Sequence, residues 1–294
     1  MTEERPATRA LLITNPAAGG RHAKPGDVER CEAILRSAGF ILDRVETGVP
    51  SPTSADLAKR ASEEGYPVCI VAGGDGTVAP AAAMLLDTSV TLGILPFGSV
   101  MNIANGLGIP LDPVKAAEVI ARRHVVRADA GEVREKIFFE TAGIGLDAEM
   151  FGAARHAERG SWRRALRRVW RFLTHKSYRV AITIEGREDR QRAMQVFVMN
   201  SPYYGWALQL LPRASMTDGL LDVAMFPRMG RWALMTSLFA VWRGRKLSAR
   251  PVVYRGARIT IASDEPVSVH ADGVLAGGLP AEFVCRKGAL AVFA

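Results

Sequence analysis

Apolar and β-branched residues gather in short runs that break off sharply at turn-forming residues. Three such runs, 10–14 (ALLIT), 68–72 (VCIVA) and 91–95 (TLGIL), carry almost no polar alternation, as expected of parallel strands buried on both faces. Each ends in a loop: Asn15-Pro16-Ala17-Ala18-Gly19-Gly20, Gly73-Gly74-Asp75-Gly76-Thr77 and Pro96-Phe97-Gly98-Ser99. A further strand is predicted at 41–46. Helices are predicted at 27–38, with Gly39 as the C-terminal cap, and at 54–64, 78–86, 101–105 and 114–122. This strand–helix alternation across 9–127 predicts an α/β domain, a parallel sheet with helices on both faces. The pattern changes near Arg127 to short alternating strands, at 127–133, 136–142, 178–184, 193–199, 221–226, 257–262 and 267–271. Their spacing predicts an antiparallel β-sandwich or barrel, interrupted by helical segments at 161–174 and 231–242. The expected division is therefore 1–127 and 128–285. A last strand at 289–293 has no evident partner, so 286–294 can join the first domain.

Composition narrows the class. The 294 residues are 48% hydrophobic and 23% charged, an ordinary globular balance with room for two cores. No apolar run reaches the ~18 residues of a membrane span. The N-terminal stretch lacks the apolar core of a secretion signal, and a cytoplasmic protein is expected. Cys31, Cys69 and Cys285 show no metal-ligand spacing and read as buried thiols. A formal charge of +8 favours an anionic partner without naming it.

The chemistry concentrates at the loops. Parallel strands end on one edge, so the three loops can converge on one ligand. Two glycines at a strand end let the backbone approach that ligand closely, and the helix behind them offers a positive dipole end to phosphate. Asp75 stands among those glycines. Neither GxGxxG nor GxxxxGK[ST] occurs, which argues against an ordinary dinucleotide fold or a Walker-type NTPase.

The blocks NPAAGG, GGDGT, PFGSVMNIANGLGIP, ETAGIGLDAEM, NSPYYG, LPRASMTDGLLDV and ADG, in this order, resemble those of the diacylglycerol-kinase-like lipid kinases, a group that includes sphingosine kinases. The resemblance spans nearly the whole chain. GGDGT alone is also used by NAD kinases, whose acceptor is soluble, but the later blocks are similar to the lipid kinases. It implies ATP in a cleft between an α/β domain and a β-sandwich, Mg²⁺, and γ-phosphoryl transfer to a lipid hydroxyl. On that basis Asn15, Gly19 and Gly20 would touch ATP phosphates. Gly73, Gly74, Asp75, Gly76 and Thr77 would cradle them and hold the metal network. Gly98, Ser99 (in place of the usual threonine) and Asn102 would line the nucleotide site. Asp218 and Asp222 resemble the family's structural metal site, although two carboxylates four apart are equally readable as surface charges.

Two positions depart from the family pattern. The segment that usually ends in Asn-Asp or Asn-Asn reads Val100-Met101-Asn102. The late Asp-Gly-Glu, whose glutamate the resemblance implies as general base, reads Asp272-Gly273-Val274. Asp272 or a water held by Asp75 would then have to replace it; the alternative is a nucleotide- or lipid-binding relative without catalysis. In 161–179, Trp162, Leu166, Val169, Trp170 and Leu173 share one helical face and Arg163, Arg164, Arg167, Arg168 and Arg171 crowd the rest. Such a helix either lies on an anionic membrane or packs on the sandwich with a solvated arginine face. The expected partners are a lipid substrate and the inner membrane face, with a homodimer through an open edge strand possible and no nucleic acid.

Overall fold

A computed structural model describes residues 7–18, 24–145, 177–205, 208–227 and 251–294. The early apolar runs form parallel strands in the spatial order β2 (Phe40–Glu46), β1 (Thr8–Thr14), β3 (Val68–Gly73), β4 (Thr91–Pro96). Ala10 to Ile13 and Cys69 to Val71 are wholly buried, which explains their lack of polar alternation. From β1 the chain passes through α1 (Asp27–Ser37) to β2, and from β3 through α3 (Asp75–Met84) to β4 on the other side. Right-handed crossovers in opposite directions put these helices on opposite faces of the sheet. Accordingly, α1 packs against α5 (Pro113–Arg122) and α2 (Ser54–Glu63) against α3. The strand order reverses between β1 and β3, which opens a crevice at their carboxyl ends.

Local chemistry fixes most helix ends. Thr53 and Asp56 form a capping box on α2, Asp112 caps α5 ahead of Pro113, and Gly39 follows α1 at φ +85. The start of α3 differs from expectation. It begins at Asp75 rather than at residue 78, because extended Gly74 already accepts the Thr77 and Val78 N–H groups at 2.8 and 2.9 Å. The glycine-rich loop is thus the first turn of a helix.

The remaining strands are β5 (Val125–Val133), β6 (Lys136–Phe138), β7 (Thr141–Gly145), β8 (Tyr178–Ile184), β9 (Arg187–Met199), β10 (Tyr203–Tyr204), β11 (Leu208–Gln209), β12 (Leu221–Pro227), β13 (Val252–Gly256), β14 (Arg258–Ser263), β15 (Ser268–Ala271), β16 (Val274–Gly278) and β17 (Ala281–Phe293). Most run antiparallel in the order β16-β15-β7-β9-β8-β14-β17, with β12 joining β9 to β13, β5 pairing with β17 and β6, and β10 and β11 forming a separate two-stranded sheet; this half is a β-sandwich-like domain. One core holds Phe138, Val198, Val223 and Phe283, and a smaller one holds Phe197, Met199 and Phe226. Expectation missed β13 and β16, and the strand foreseen at 136–142 breaks at Phe139-Glu140, whose N–H groups turn to Asp272. The helices expected at 161–174 and 231–242 lie outside the described residues.

The last strand is longer than its apolar tail. The first half of β17 pairs with β14 and β5; after a register shift between Arg286 and Leu290 it lies between β5 and β4, parallel to β4 at Val292–Leu92. Phe283 therefore packs in the sandwich core and Leu290 and Val292 in the α/β core. Among the described residues no helix is long and apolar enough to cross a membrane.

Because β17 runs through both cores, they should unfold together. Phe283→Ala is expected to cost about 3–5 kcal/mol and to shift one shared denaturation transition, read by both near-UV and far-UV circular dichroism.

Candidate active site

The loops after β3 and β4 touch through glycine. A Cβ on Gly98 would lie 2.5 Å from Gly74 Cα and 2.7 Å from Met101 Sδ, and one on Gly73 would lie 2.6 Å from Thr77 Cβ. No larger residue fits at Gly73 or Gly98 without moving a loop. By contrast, a Cβ on exposed Gly76 would meet nothing within 4 Å, so the first turn of α3 is open on that side. Across the β1–β3 crevice Asn15 Nδ2 donates to Thr77 Oγ1 at 2.9 Å, and Asn15 Oδ1 accepts the Ala17 N–H at 3.0 Å. Asn15 thereby braces two of the three loops. Ser99 is exposed beside them, and Gly19 and Gly20 lie outside the described residues.

Asp75 points from the first turn of α3 to the start of α4 (Asn102–Gly106). Its Oδ2 accepts the Asn102 N–H at 3.1 Å and its Oδ1 the Ile103 N–H at 3.2 Å. The residue preceding α4, Met101, is left-handed (φ 57, ψ 46) and makes no side-chain cap, so Asp75 serves as one. Burial raises its pKa against the pull of those N–H donors. Asn102, 2% exposed, sends Nδ2 to both Glu140 Oε2 at 2.6 Å and the Gly205 carbonyl at 2.7 Å. Its Oδ1 is buried and has no hydrogen-bond partner among the described residues.

Glu140 and Asp272 complete an acidic cluster. Asp272 and Gly273, both at positive φ, form the two-residue turn between β15 and β16, the geometry that favours Asp-Gly in hairpins. The Asp272 carboxylate accepts N–H groups from Phe139, Glu140 and Thr141 at 2.7, 3.1 and 2.9 Å. Burial is the main cause that lifts Asp272 to about 6, opposed by those three donors. Glu140 rises to about 9, through burial first and then the charges of Asp272 and Asp75. Sequence reading passed over Glu140; its one signal was a charged residue between the apolar pair Phe138-Phe139 and a strand.

A diacylglycerol kinase catalytic-domain profile matches residues 9–133, and a YegS C-terminal NAD kinase beta sandwich-like domain profile matches residues 141–294. The chain belongs to the diacylglycerol kinase catalytic-domain family. It is 26% identical over 287 residues to a diacylglycerol kinase of Bacillus subtilis (strain 168), covering 94% of this chain and 93% of that one. Against a diacylglycerol kinase of Mycobacterium tuberculosis (strain H37Rv) the identity is 27% over 298 residues, with 97% and 94% covered. A crystal structure of a diacylglycerol kinase from Bacillus anthracis str. Sterne shares the fold, with TM-score 0.75 over 97% of this chain and 96% of that one at 24% identity.

Within this family frame the departures acquire positions. Val274, where the resemblance implied a glutamate, lies on β16 with 60% of its surface exposed. The pair expected to bind metal is occupied by a guanidinium: Arg255 holds Asp222 through two bonds of 2.9 and 2.8 Å and Asp218 at 3.3 Å. Nearby, buried Asp129 accepts the Gly219 and Gly288 N–H groups at 2.6 and 2.7 Å, tying the loop before β12 to β17. Among the described residues no three His, Cys, Asp or Glu side chains gather as a metal centre.

Arg255→Gln should leave nearly buried Asp222 without its counter-charge. We expect a loss of about 2 kcal/mol, below that of a fully buried pair because Arg255 is 38% exposed. Recovery of the melting temperature on adding Mg²⁺ would favour a metal role for Asp218 and Asp222; no recovery would favour the arginine. The raised pKa of Glu140 also has a sign. The folded protein holds that proton after the unfolded chain has released it, so this stabilisation is full below the ordinary 4.5 and is lost as pH rises through about 9. Relative to wild type, Glu140→Gln should therefore gain stability between pH 5 and 9, as read by thermal unfolding across that range.

Proposed function

We propose that this protein is an ATP-dependent lipid kinase that transfers the γ-phosphoryl group to the hydroxyl of a diacylglycerol-like lipid at a membrane surface. The observation that carries the reading is the open, glycine-lined first turn of α3 directly beside the cluster of Asp75, Glu140 and Asp272. A helix N-terminus suits a polyphosphate, and phosphoryl transfer asks the protein for donors and alignment more than covalent chemistry. Gly76 lets phosphate oxygens approach the backbone, Gly74 packs against Gly98, and Asn15 and Thr77 fix the loop that receives them. Asn102, at the start of α4, is held by Glu140 and the Gly205 carbonyl.

Mg²⁺ fits the donor set in chemistry. Burial raises the proton affinity of Asp75, and the Asp75 charge adds to the burial that raises Asp272, a condition that a cation beside Asp75 would relieve. An ion carried by nucleotide phosphates needs only one or two protein carboxylates, and Asp75 would supply the first. When bound, it would neutralise charge on the β- and γ-phosphate oxygens. Membrane contact by the basic segment around Trp162, Trp170 and Arg171, which lies outside the described residues, rests on its amphipathic sequence pattern.

A second reading, a binding relative without catalysis, is favoured by one observation: exposed Val274 and the triply engaged Asp272 leave the Asp-Gly turn without a free base. Transfer of labelled γ-phosphate from ATP with Mg²⁺ to diacylglycerol in phosphatidylglycerol vesicles separates the two. A labelled lipid whose turnover falls at least ~10²-fold in Asp75→Asn supports the kinase, whereas ATP binding without any labelled lipid supports the relative. Val274→Glu is expected to stay near wild type rather than gain the ~10²-fold of a well-placed base, because that position faces solvent.

A further inference from the structure

Deepening the kinase reading, on which it rests, we infer that Glu140 is the proton acceptor for the incoming hydroxyl. The choice among the carboxylates is geometric. Both oxygens of Asp75 accept backbone N–H groups. Asp272 takes three such donors, two on Oδ1 and one on Oδ2. N–H donors stabilise the ionised form and weaken it as a base. Glu140 accepts one side-chain amide bond, on Oε2 from Asn102, and Oε1 accepts none among the described residues. Its backbone is fixed on the sandwich side, where its N–H goes to Asp272 and its carbonyl accepts from Asn200 and Ser201 at 3.0 and 3.2 Å. Its side chain reaches α4 on the nucleotide side, so the carboxylate stands where the two halves of the site meet. Half-buried, it remains open to a substrate.

The step balances simply. The hydroxyl oxygen bonds to the γ-phosphorus while its proton passes to Glu140. The bond from the γ-phosphorus to the bridging oxygen breaks, and ADP departs with that electron pair. The proton is then released to water. The titratable groups facing Glu140 are Asp272 from the hairpin turn and Asp75 from α3, both acidic, and both favour its protonated form. Turnover should accordingly rise toward alkaline pH.

The test uses the full chain, labelled ATP, Mg²⁺ and phosphatidylglycerol vesicles carrying diacylglycerol. Glu140→Gln keeps the side chain's length and an acceptor for Asn102. It is expected to lower kcat by ~10²–10⁴-fold, to leave the KM for ATP within about twofold, and to abolish the alkaline rise. A residue that only positions Asn102 would move KM and leave the pH profile in place. Wild-type transfer with Glu140→Gln still at comparable kcat, or with the alkaline rise intact, overturns the role of Glu140 and spares the kinase. Wild type that binds ATP and labels no lipid sinks both. If Glu140→Gln does not fold, Glu140→Asp, which withdraws the carboxylate by one methylene, should lose about 10–10²-fold in kcat with the pH rise retained; unchanged kcat there also overturns the role.

Discussion

The bond that the candidate site hangs from is the one between the Asp75 carboxylate and the first N–H groups of α4. A helix end that leaves water needs acceptors, and a left-handed Met101 offers none. Asp75, arriving from the end of the neighbouring strand β3, satisfies both its own desolvated charge and that helix end. With α4 held, Asn102 is aimed at Glu140 and Gly205, and the glycines of the two loops can press together. The same carboxylate is thus a structural cap and, in the proposed reaction, part of the turn that receives the phosphates. In the same loop the Thr77 side chain closes off Gly73, whereas Gly76 is left open.

The site is built against its own stability. Gathering Asp75, Glu140 and Asp272 in a partly dry space keeps protons on groups that would lose them in water. Three backbone donors partly offset the cost at Asp272, two at Asp75, and a single amide at Glu140. The least compensated group is the one best able to take a proton from elsewhere. Functional sites commonly retain such uncompensated charge because activity needs it.

Elsewhere charge is spent on architecture. Arg255 closes on Asp222 and Asp218, and Asp129 gathers two glycine N–H groups from segments far apart in sequence. The first contact braces β12 against β13 within the sandwich, and the long β17 binds the sandwich to the α/β sheet. The site therefore sits between two bodies that share a strand, which favours fixed geometry over loose domain motion.

Local patterning was enough for the α/β-then-β order, the buried character of β1 and β3, and the glycine loops at their ends, because periodicity and turn chemistry are local properties. Asp75 was legible for the same reason, as was the hairpin signal of Asp272-Gly273. What those residues touch emerged from the folded arrangement alone. Asp272 turned out to anchor the backbone at Phe139 to Thr141, the pair Asp218 and Asp222 found Arg255, and Val274 faced solvent. Glu140 became a candidate through neighbours on α3, α4 and the β15–β16 turn, each distant along the chain. Side-chain partners and buried charge are set by which strands pair and where their loops meet, and a pattern of period 2 or 3.6 carries no record of that.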